Sequence, residues 1–130
     1  MVDADIQLAQ SKIKHHPHAT ALSFDIRNSE ERQKTIQEAD IVISMLPPDL
    51  HYLIACDCLA HRKNLLTASY LDEKIKGIEK DIRQQGLTFL CEMGLDPGID
   101  HMSAMQLIDN IHNKGGSIKS FRSHCGGLIA

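Results

Sequence analysis

The 130 residues are 42% hydrophobic and 24% charged, with a formal net charge of −3, which is typical of one globular domain. No apolar run reaches the ~20 residues that a membrane-spanning helix needs. Asp3 and Asp5 stand where a signal peptide would be basic, and no basic patch suggests nucleic-acid binding. We therefore expect no membrane or nucleic-acid partner.

The cysteines and histidines give no recognisable disulfide or metal pattern. Cys56 and Cys58 lie two positions apart in a predicted helix, which turns their sulfurs to different faces. This favours reduced thiols and a cytoplasmic location. The cluster His15-His16-Pro17-His18 is interpreted as a solvated loop; a metal site there is the alternative, and no other motif supports it. We expect no metal.

Helical and strand patterns alternate through the first half of the chain. Met1-Val2-Asp3 has the character of the end of a strand. Ser29 is expected to cap a helix. The hydrophobic periodicity then predicts a helix over 4–14, a strand over 19–26, a helix over 30–38 and a buried strand over 40–46.

The alternation continues through the second half. Gly86 is a plausible C-terminal cap of the fourth helix. The predicted elements are a helix over 50–62, a strand over 64–69, a helix over 72–85, a strand over 87–92, a helix over 98–113 and a strand over 117–124.

This order predicts an α/β fold. Strands that alternate with helices through short links form right-handed βαβ units and a doubly wound parallel sheet. Ligands bind such sheets outside the carboxyl ends of the strands. Three turns are expected at that edge: MLPP at 45–48, ASYLD at 68–72 and EMGLDPG at 92–98.

The glycine-rich phosphate loop of a dinucleotide-binding fold is not found in the sequence. In that fold an acid at the end of the second strand binds the adenosine ribose, and Asp3 fits this position. We therefore expect a partial Rossmann-like sheet that lacks its first strand and phosphate loop. In the strand order 3-2-1-4-5-6 the first strand is central, so exposed strand edges should make the isolated chain dimerise or fold poorly.

EMGLDPGIDH, together with VISMLPP, TASYLDE and SFRSHCGGL, resembles the saccharopine dehydrogenase family of the glutamate-forming type. The resemblance implies an NAD(P)-dependent oxidoreductase that joins 2-aminoadipate 6-semialdehyde and glutamate into saccharopine, or the reverse. Members are longer than this chain. Residues 1–115 would be part of the dinucleotide-binding domain, and 116–130 the start of the substrate domain.

The resemblance also implies site residues. The catalytic candidates are Asp96, Tyr70 and Cys125. The cofactor-binding candidates, apart from Asp3, match turns that run along the nucleotide: Ser44, Leu46, Pro47, Ser69, Tyr70, Gly94 and Leu95.

Some positions depart from the family pattern. His124 stands where tyrosine often precedes CGG, and Ile129 where proline often follows CGGL. Asp3 is followed by Ala4, not by an arginine suited to a 2′-phosphate. An acid there favours a free 2′-hydroxyl, so NAD stays an alternative to NADP.

Each candidate also has a structural interpretation. Asp96 would stabilise a protonated iminium beside the nicotinamide, or cap a helix that begins at Pro97. Tyr70 would orient the substrate or donate a proton, or be a half-buried aromatic. Cys125 would lie in the cleft, or be a small buried thiol.

The substrate ligands are not evident. Arginine suits a dicarboxylate substrate, but Arg27, Arg32, Arg62 and Arg83 fall on apparent outer helices or loops. Arg122 alone is near the predicted cleft strand, and these ligands are expected elsewhere. Two alternative functions stay open: a polyamine-type imine reductase acting on carboxynorspermidine or homospermidine, and a non-catalytic binding or assembly module.

Overall fold

The computed structural model describes residues 1–124 and residue 126. The strands are β1 (Val2–Asp3), β2 (Leu22–Ser23), β3 (Ile41–Ser44), β4 (Asn64–Thr67) and β5 (Phe89–Leu90). The helices are α1 (Ile6–Ile13), α2 (Ser29–Glu38), α3 (Pro48–Ala60), α4 (Glu73–Gly77), α5 (Glu79–Gln84) and α6 (Ile99–Asn113).

The strands pair in parallel, in two separate sets. β1 pairs with β2, and the second set has the order β3-β4-β5. Without its first strand, the predicted order 3-2-1-4-5-6 gives these same two sets. The predicted α/β fold with a parallel sheet is therefore confirmed.

Side-chain caps fix where several helices begin. Asp5 accepts hydrogen bonds from the first turn of α1, and Asp72 accepts one from Ile75 N in α4. The cap of α2 is Asn28, so the prediction of Ser29 was wrong by one position. Both side chains satisfy free N–H groups well, and the sequence alone does not separate neighbouring candidates.

The predicted strands over 19–26 and 87–92 are shorter in the structure, and three predicted elements differ in more than their ends. The helix over 72–85 is two short helices that meet at Ile78. The predicted buried strand over 40–46 is an edge strand, with Ile41 and Ile43 50% and 65% exposed. Residues 117–124 form no strand.

The core lies between the three-stranded sheet and the helices that pack on it, with α3 at its centre. The side chains of this cluster are largely removed from water: Ile36, Ile54, Ala55, Cys58, Leu65 and Ile75. Burial of such apolar area is the main stabilising term of the fold.

A buried ion pair joins α2 to α3. Arg32 Nε lies 2.5 Å from Asp57 Oδ2, Arg32 also donates to the carbonyl oxygen of Ile26, and Gln33 donates to Asp57 Oδ1. Arg32 was predicted on an outer helix, but it is 4% exposed. Its role is therefore packing between helices and not substrate recognition.

The described cysteines are free thiols. Cys58 is buried and Cys56 is half-buried, on different faces of α3 as predicted. Burial raises the pKa of the Cys58 thiol to about 12, and the charge of Asp57 acts in the same direction. Cys58 is therefore a packed, unreactive thiol. Across residues 1–124 and 126, no helix combines the length and the apolar character needed to cross a membrane.

Candidate active site

The turns that follow β3, β4 and β5 meet at one edge of the sheet. The strands are parallel, so their carboxyl ends lie side by side. Main-chain hydrogen bonds join the last two turns: Glu92 N donates to Ser69 O at 2.9 Å, and Met93 N donates to Thr67 O at 3.0 Å. The turns predicted to carry the chemistry are thus in contact.

Tyr70 and Asp96 meet across these turns. The Tyr70 hydroxyl donates to Asp96 Oδ1 at 3.1 Å. They line a cleft of about 620 Å³, together with Pro48, Ser69, Asp72 and Pro97. Tyr70 is 64% exposed, so the pair is open to a ligand that enters the cleft.

The capping interpretation of Asp96 is wrong. The N-cap of α6 is Gly98, and no side chain caps this helix. Pro97 lies outside the helix, and the Asp96 carboxylate instead accepts the hydrogen bond from Tyr70. Asp96 therefore lines the cleft, and its carboxylate does not cap the helix.

Glycines allow the turn after β5 to fold tightly. A Cβ on Gly98, whose φ is +147°, would overlap main-chain atoms of Gly94 and Glu92. A Cβ on Gly94 would lie 2.8 Å from Ala68 O in the neighbouring turn. Gly94 N also donates to Pro97 O at 2.9 Å. The geometry therefore requires glycine at both positions.

Glu92 and Asp100 are also near this turn. The Glu92 carboxylate accepts from Leu71 N at 3.3 Å, and so links the second turn to the third. Asp100 Oδ1 accepts from Gly98 N at 2.8 Å and contacts His101 Nδ1 at 2.9 Å. Desolvation acts to raise the pKa of Asp100, but these donors outweigh it and the pKa is lowered. Asp100 is therefore an ionised structural group.

A histidine connects the ends of β3 and β4. His51 Nδ1 lies 2.8 Å from Ser44 Oγ, and His51 Nε2 lies 2.8 Å from Ser69 Oγ. Both serines were predicted site residues, but His51 was missed. The sequence feature that could have identified it is its position in the first turn of a helix that follows a strand end. The sequence contains seven other histidines, so this one did not stand out.

The other predicted residues are more scattered. Leu46 packs partly buried against the core, Pro47 is the N-cap residue of α3, and Leu95 is 75% exposed. Asp3 ends β1 in the two-stranded set, where its carboxylate accepts from Asp5 N at 2.9 Å. Cys125 lies outside the described residues.

The histidine cluster over residues 15–18 is not joined by other metal-ligating side chains among the described residues. The rings of His16 and His18 are in tilted contact, with centroids 5.9 Å apart. In the described part of the chain, no group of three or more His, Cys, Asp or Glu side chains is arranged to hold a metal ion.

Two family models match the sequence. Residues 1–90 match the saccharopine dehydrogenase NADP binding domain. Residues 94–130 match the saccharopine dehydrogenase C-terminal domain.

Relatives in three kingdoms align with most of the chain. Alpha-aminoadipic semialdehyde synthase of Arabidopsis thaliana is 44% identical over 108 residues, which are 83% of this chain and 10% of that protein. The mitochondrial synthase of Bos taurus is 43% identical over 128 residues, 98% of this chain and 14% of that one. Saccharopine dehydrogenase [NADP(+), L-glutamate-forming] of Saccharomyces cerevisiae is 37% identical over 110 residues, 85% of this chain and 25% of that one.

A solved structure shares the fold. Apo saccharopine dehydrogenase (L-Glu forming) from Saccharomyces cerevisiae superposes with a TM-score of 0.78 at 31% identity, over 92% of this chain and 26% of that one. The chain thus spans about a quarter or less of these relatives. With a family model matched over residues 1–90, the chain belongs to the saccharopine dehydrogenase family.

Proposed function

We propose that this chain is part of an NAD(P)-dependent oxidoreductase that reductively joins 2-aminoadipate 6-semialdehyde and glutamate to saccharopine, or runs the reverse reaction, in lysine metabolism. The observation that carries the proposal is the Tyr70–Asp96 hydrogen bond at the carboxyl edge of the sheet, within a chain of this family. Relatives bear the names of both the dehydrogenase and the synthase.

The described residues suit the ribose and nicotinamide parts of a dinucleotide. Ser69 and Tyr70 line the cleft, and hydroxyls and carboxylates are the groups that bind ribose. Ser44, Leu46, Pro47, Gly94 and Leu95 would supply the surrounding turns. When bound, the cofactor supplies or accepts the hydride.

Asp96 is the proposed catalytic group. An ionised carboxylate beside the imine nitrogen favours its protonated form, which accepts hydride more readily than the neutral imine. Tyr70 holds Asp96 through its hydroxyl and keeps the second carboxylate oxygen available. In the reverse direction the same carboxylate would accept the proton of the secondary amine. Cys125 is proposed as a further cleft residue.

The cofactor is proposed to be NADP or NAD. The family model and the yeast relative's name favour NADP. Asp3 followed by Ala4 favours NAD, because a carboxylate repels a 2′-phosphate. The comparison of the two nucleotides is therefore part of the functional test.

We propose residues 1–115 as part of the dinucleotide-binding domain and 116–130 as the start of the substrate domain, within a longer polypeptide. The share of each relative that the chain covers supports this. We call that longer protein the complete polypeptide. Basic residues for the substrate carboxylates would come from its other parts.

The isolated chain is proposed to associate as a homodimer through its strand edges. β3 ends the three-stranded set, and the neighbouring Met45 is 75% exposed. An unpaired, apolar edge is a template for association. Sedimentation should show a dimer; a stable, well-folded monomer would contradict the proposal.

We propose a cytoplasmic location, on the basis of the free thiols Cys56, Cys58 and Cys91. Some relatives are named mitochondrial. Cell fractionation distinguishes the two compartments.

The enzymatic proposal is tested by replacing the carboxylate. In the complete polypeptide, Asp96→Asn should lower the rate of saccharopine oxidation about 100-fold, the usual scale of general acid–base catalysis. The matched control is Asp109→Asn, on the exposed side of α6, which should leave the rate unchanged. Equal rates for parent and Asp96→Asn would contradict the proposed role.

A further inference from the structure

His51 is a buried imidazole with both nitrogens engaged. It lies in the first turn of α3 and is 3% exposed. Its two partners, Ser44 and Ser69, are each at 2.8 Å and belong to different strand ends. A ring held from both sides has one orientation, so His51 is a rigid bridge across the edge of the sheet.

The neutral state of the ring also determines the hydrogen-bonding roles of its two serine partners. Burial lowers the pKa of His51, against the opposing charges of Asp72 and Asp49. A neutral imidazole has one N–H donor and one acceptor nitrogen. One serine therefore donates to the ring and the other accepts from it.

Ser69 is the partner that reaches the cleft. Its carbonyl oxygen accepts from Glu92 N at 2.9 Å and from Thr67 Oγ1 at 3.4 Å. Its hydroxyl is held by His51. Main chain and side chain of Ser69 are thus both fixed, and Tyr70, which contacts Asp96, is the next residue.

We propose that His51 is a positioning residue, which directs the Ser69 hydroxyl at the bound nucleotide and fixes the turn that presents Tyr70 to Asp96. This inference rests on the proposed function, since it needs a nucleotide in the cleft. The competing role is a purely structural one, in which His51 only anchors α3 to the sheet.

Graded substitutions in the complete polypeptide separate the two roles. A glutamine amide reaches near the position of Nε2 and keeps the Ser69 contact, whereas an asparagine amide reaches near Nδ1 and keeps the Ser44 contact. His51→Leu keeps neither. His112→Gln, an exposed position on α6, is the control. The readouts are the Kd for NADH and NADPH by fluorescence, and the melting temperature.

We expect His51→Leu and His51→Asn to raise the nucleotide Kd about tenfold, the worth of one well-placed hydrogen bond. His51→Gln should stay within about threefold of the parent, and the control should be unchanged. His51→Leu that binds as the parent does but melts lower would establish the structural role and overturn the inference. His51→Asn binding better than His51→Gln would also overturn it.

Ser69→Ala covers the case in which His51→Leu fails to fold. It should raise the Kd as much as His51→Asn does, and adding it to His51→Asn should cause little further loss, because both changes remove the same directed hydroxyl. Fully additive losses would overturn the inference.

The Kd needs no turnover, so the two proposals fail separately. If the variants show the expected Kd changes but the parent does not turn over saccharopine, the proposed function alone is contradicted. If the parent turns over saccharopine but the His51 variants bind nucleotide with the same Kd as the parent, the inference alone is contradicted. A folded parent that binds neither nucleotide would overturn both.

Discussion

The Tyr70 hydroxyl lies 3.1 Å from Asp96 Oδ1, which joins the turn after β4 to the turn after β5 through side chains. The main chain joins the same turns, since Glu92 N donates to Ser69 O. Two residues that are 26 positions apart in sequence are thereby held as one unit at the mouth of the cleft.

This pairing predicts coupled effects on turnover. Tyr70→Phe should lower kcat/KM for saccharopine about tenfold, since one hydrogen bond to a charged group is lost. Added to Asp96→Asn it should change little, because residues that act as a unit are not additive. Tyr52→Phe, at a half-buried position on α3, is the control. Independent, additive effects in steady-state kinetics would contradict the coupling.

The turn after β5 should tolerate no side chain at Gly98. Gly98→Ala should lower the free energy of unfolding by about 2–4 kcal/mol, because φ is +147° and the new Cβ overlaps main-chain atoms. Gly77→Ala is the matched control, since nothing lies within 4 Å of its Cβ position. Thermal unfolding of both variants gives the comparison, and equal melting temperatures would refute this account of the turn.

The buried ion pair between α2 and α3 should contribute more to the free energy of unfolding than the ion pairs on the surface. Asp57→Asn leaves Arg32 buried and unpaired, which costs about 3–5 kcal/mol. Glu79→Gln removes the exposed pair with Arg83 and should change stability by less than about 1 kcal/mol. Denaturant unfolding measures both, and similar losses would show that burial of Arg32 has no energetic consequence.

Stability should fall on both sides of neutral pH. The pKa of His51 is lowered in the folded state, so the unfolded chain takes up a proton first as pH falls below about 6.5. The pKa of Cys58 is raised to about 12, so the unfolded chain loses a proton first as pH rises above about 8.5. Melting curves of His51→Gln and Cys58→Ala should each lose one of these two dependences. Unchanged acid and alkaline limbs would contradict the assignments.

The order of elements was predictable because strand and helix periodicities differ and alternate along the chain. Their ends were less so. Ser29 and Asn28 are both good caps, and only the local main chain selects Asn28. β3 was predicted to be buried from its apolar run, but Ile43 lies on an exposed edge, and sequence alone does not give a strand its neighbours.

The candidate site was predictable where it follows strand ends. The topology of a parallel sheet predicted that the three turns lie together, and the family resemblance supplied the residues Tyr70, Asp96, Ser44 and Ser69. His51 was not named, since it lies within a helix and contacts side chains that only the folded chain brings together. The capping role suggested for Asp96 failed because α6 begins two residues after Pro97.

The most direct test is to mix the complete polypeptide with saccharopine at alkaline pH and follow nicotinamide absorbance, with NAD and NADP in separate cuvettes. Carboxynorspermidine and homospermidine serve as comparison substrates. The account predicts a rate with saccharopine that exceeds both polyamines, and the ratio of the two nucleotides tests the role of Asp3. A folded protein that binds nucleotide but reduces it only with a polyamine substrate, or with none, would contradict the account.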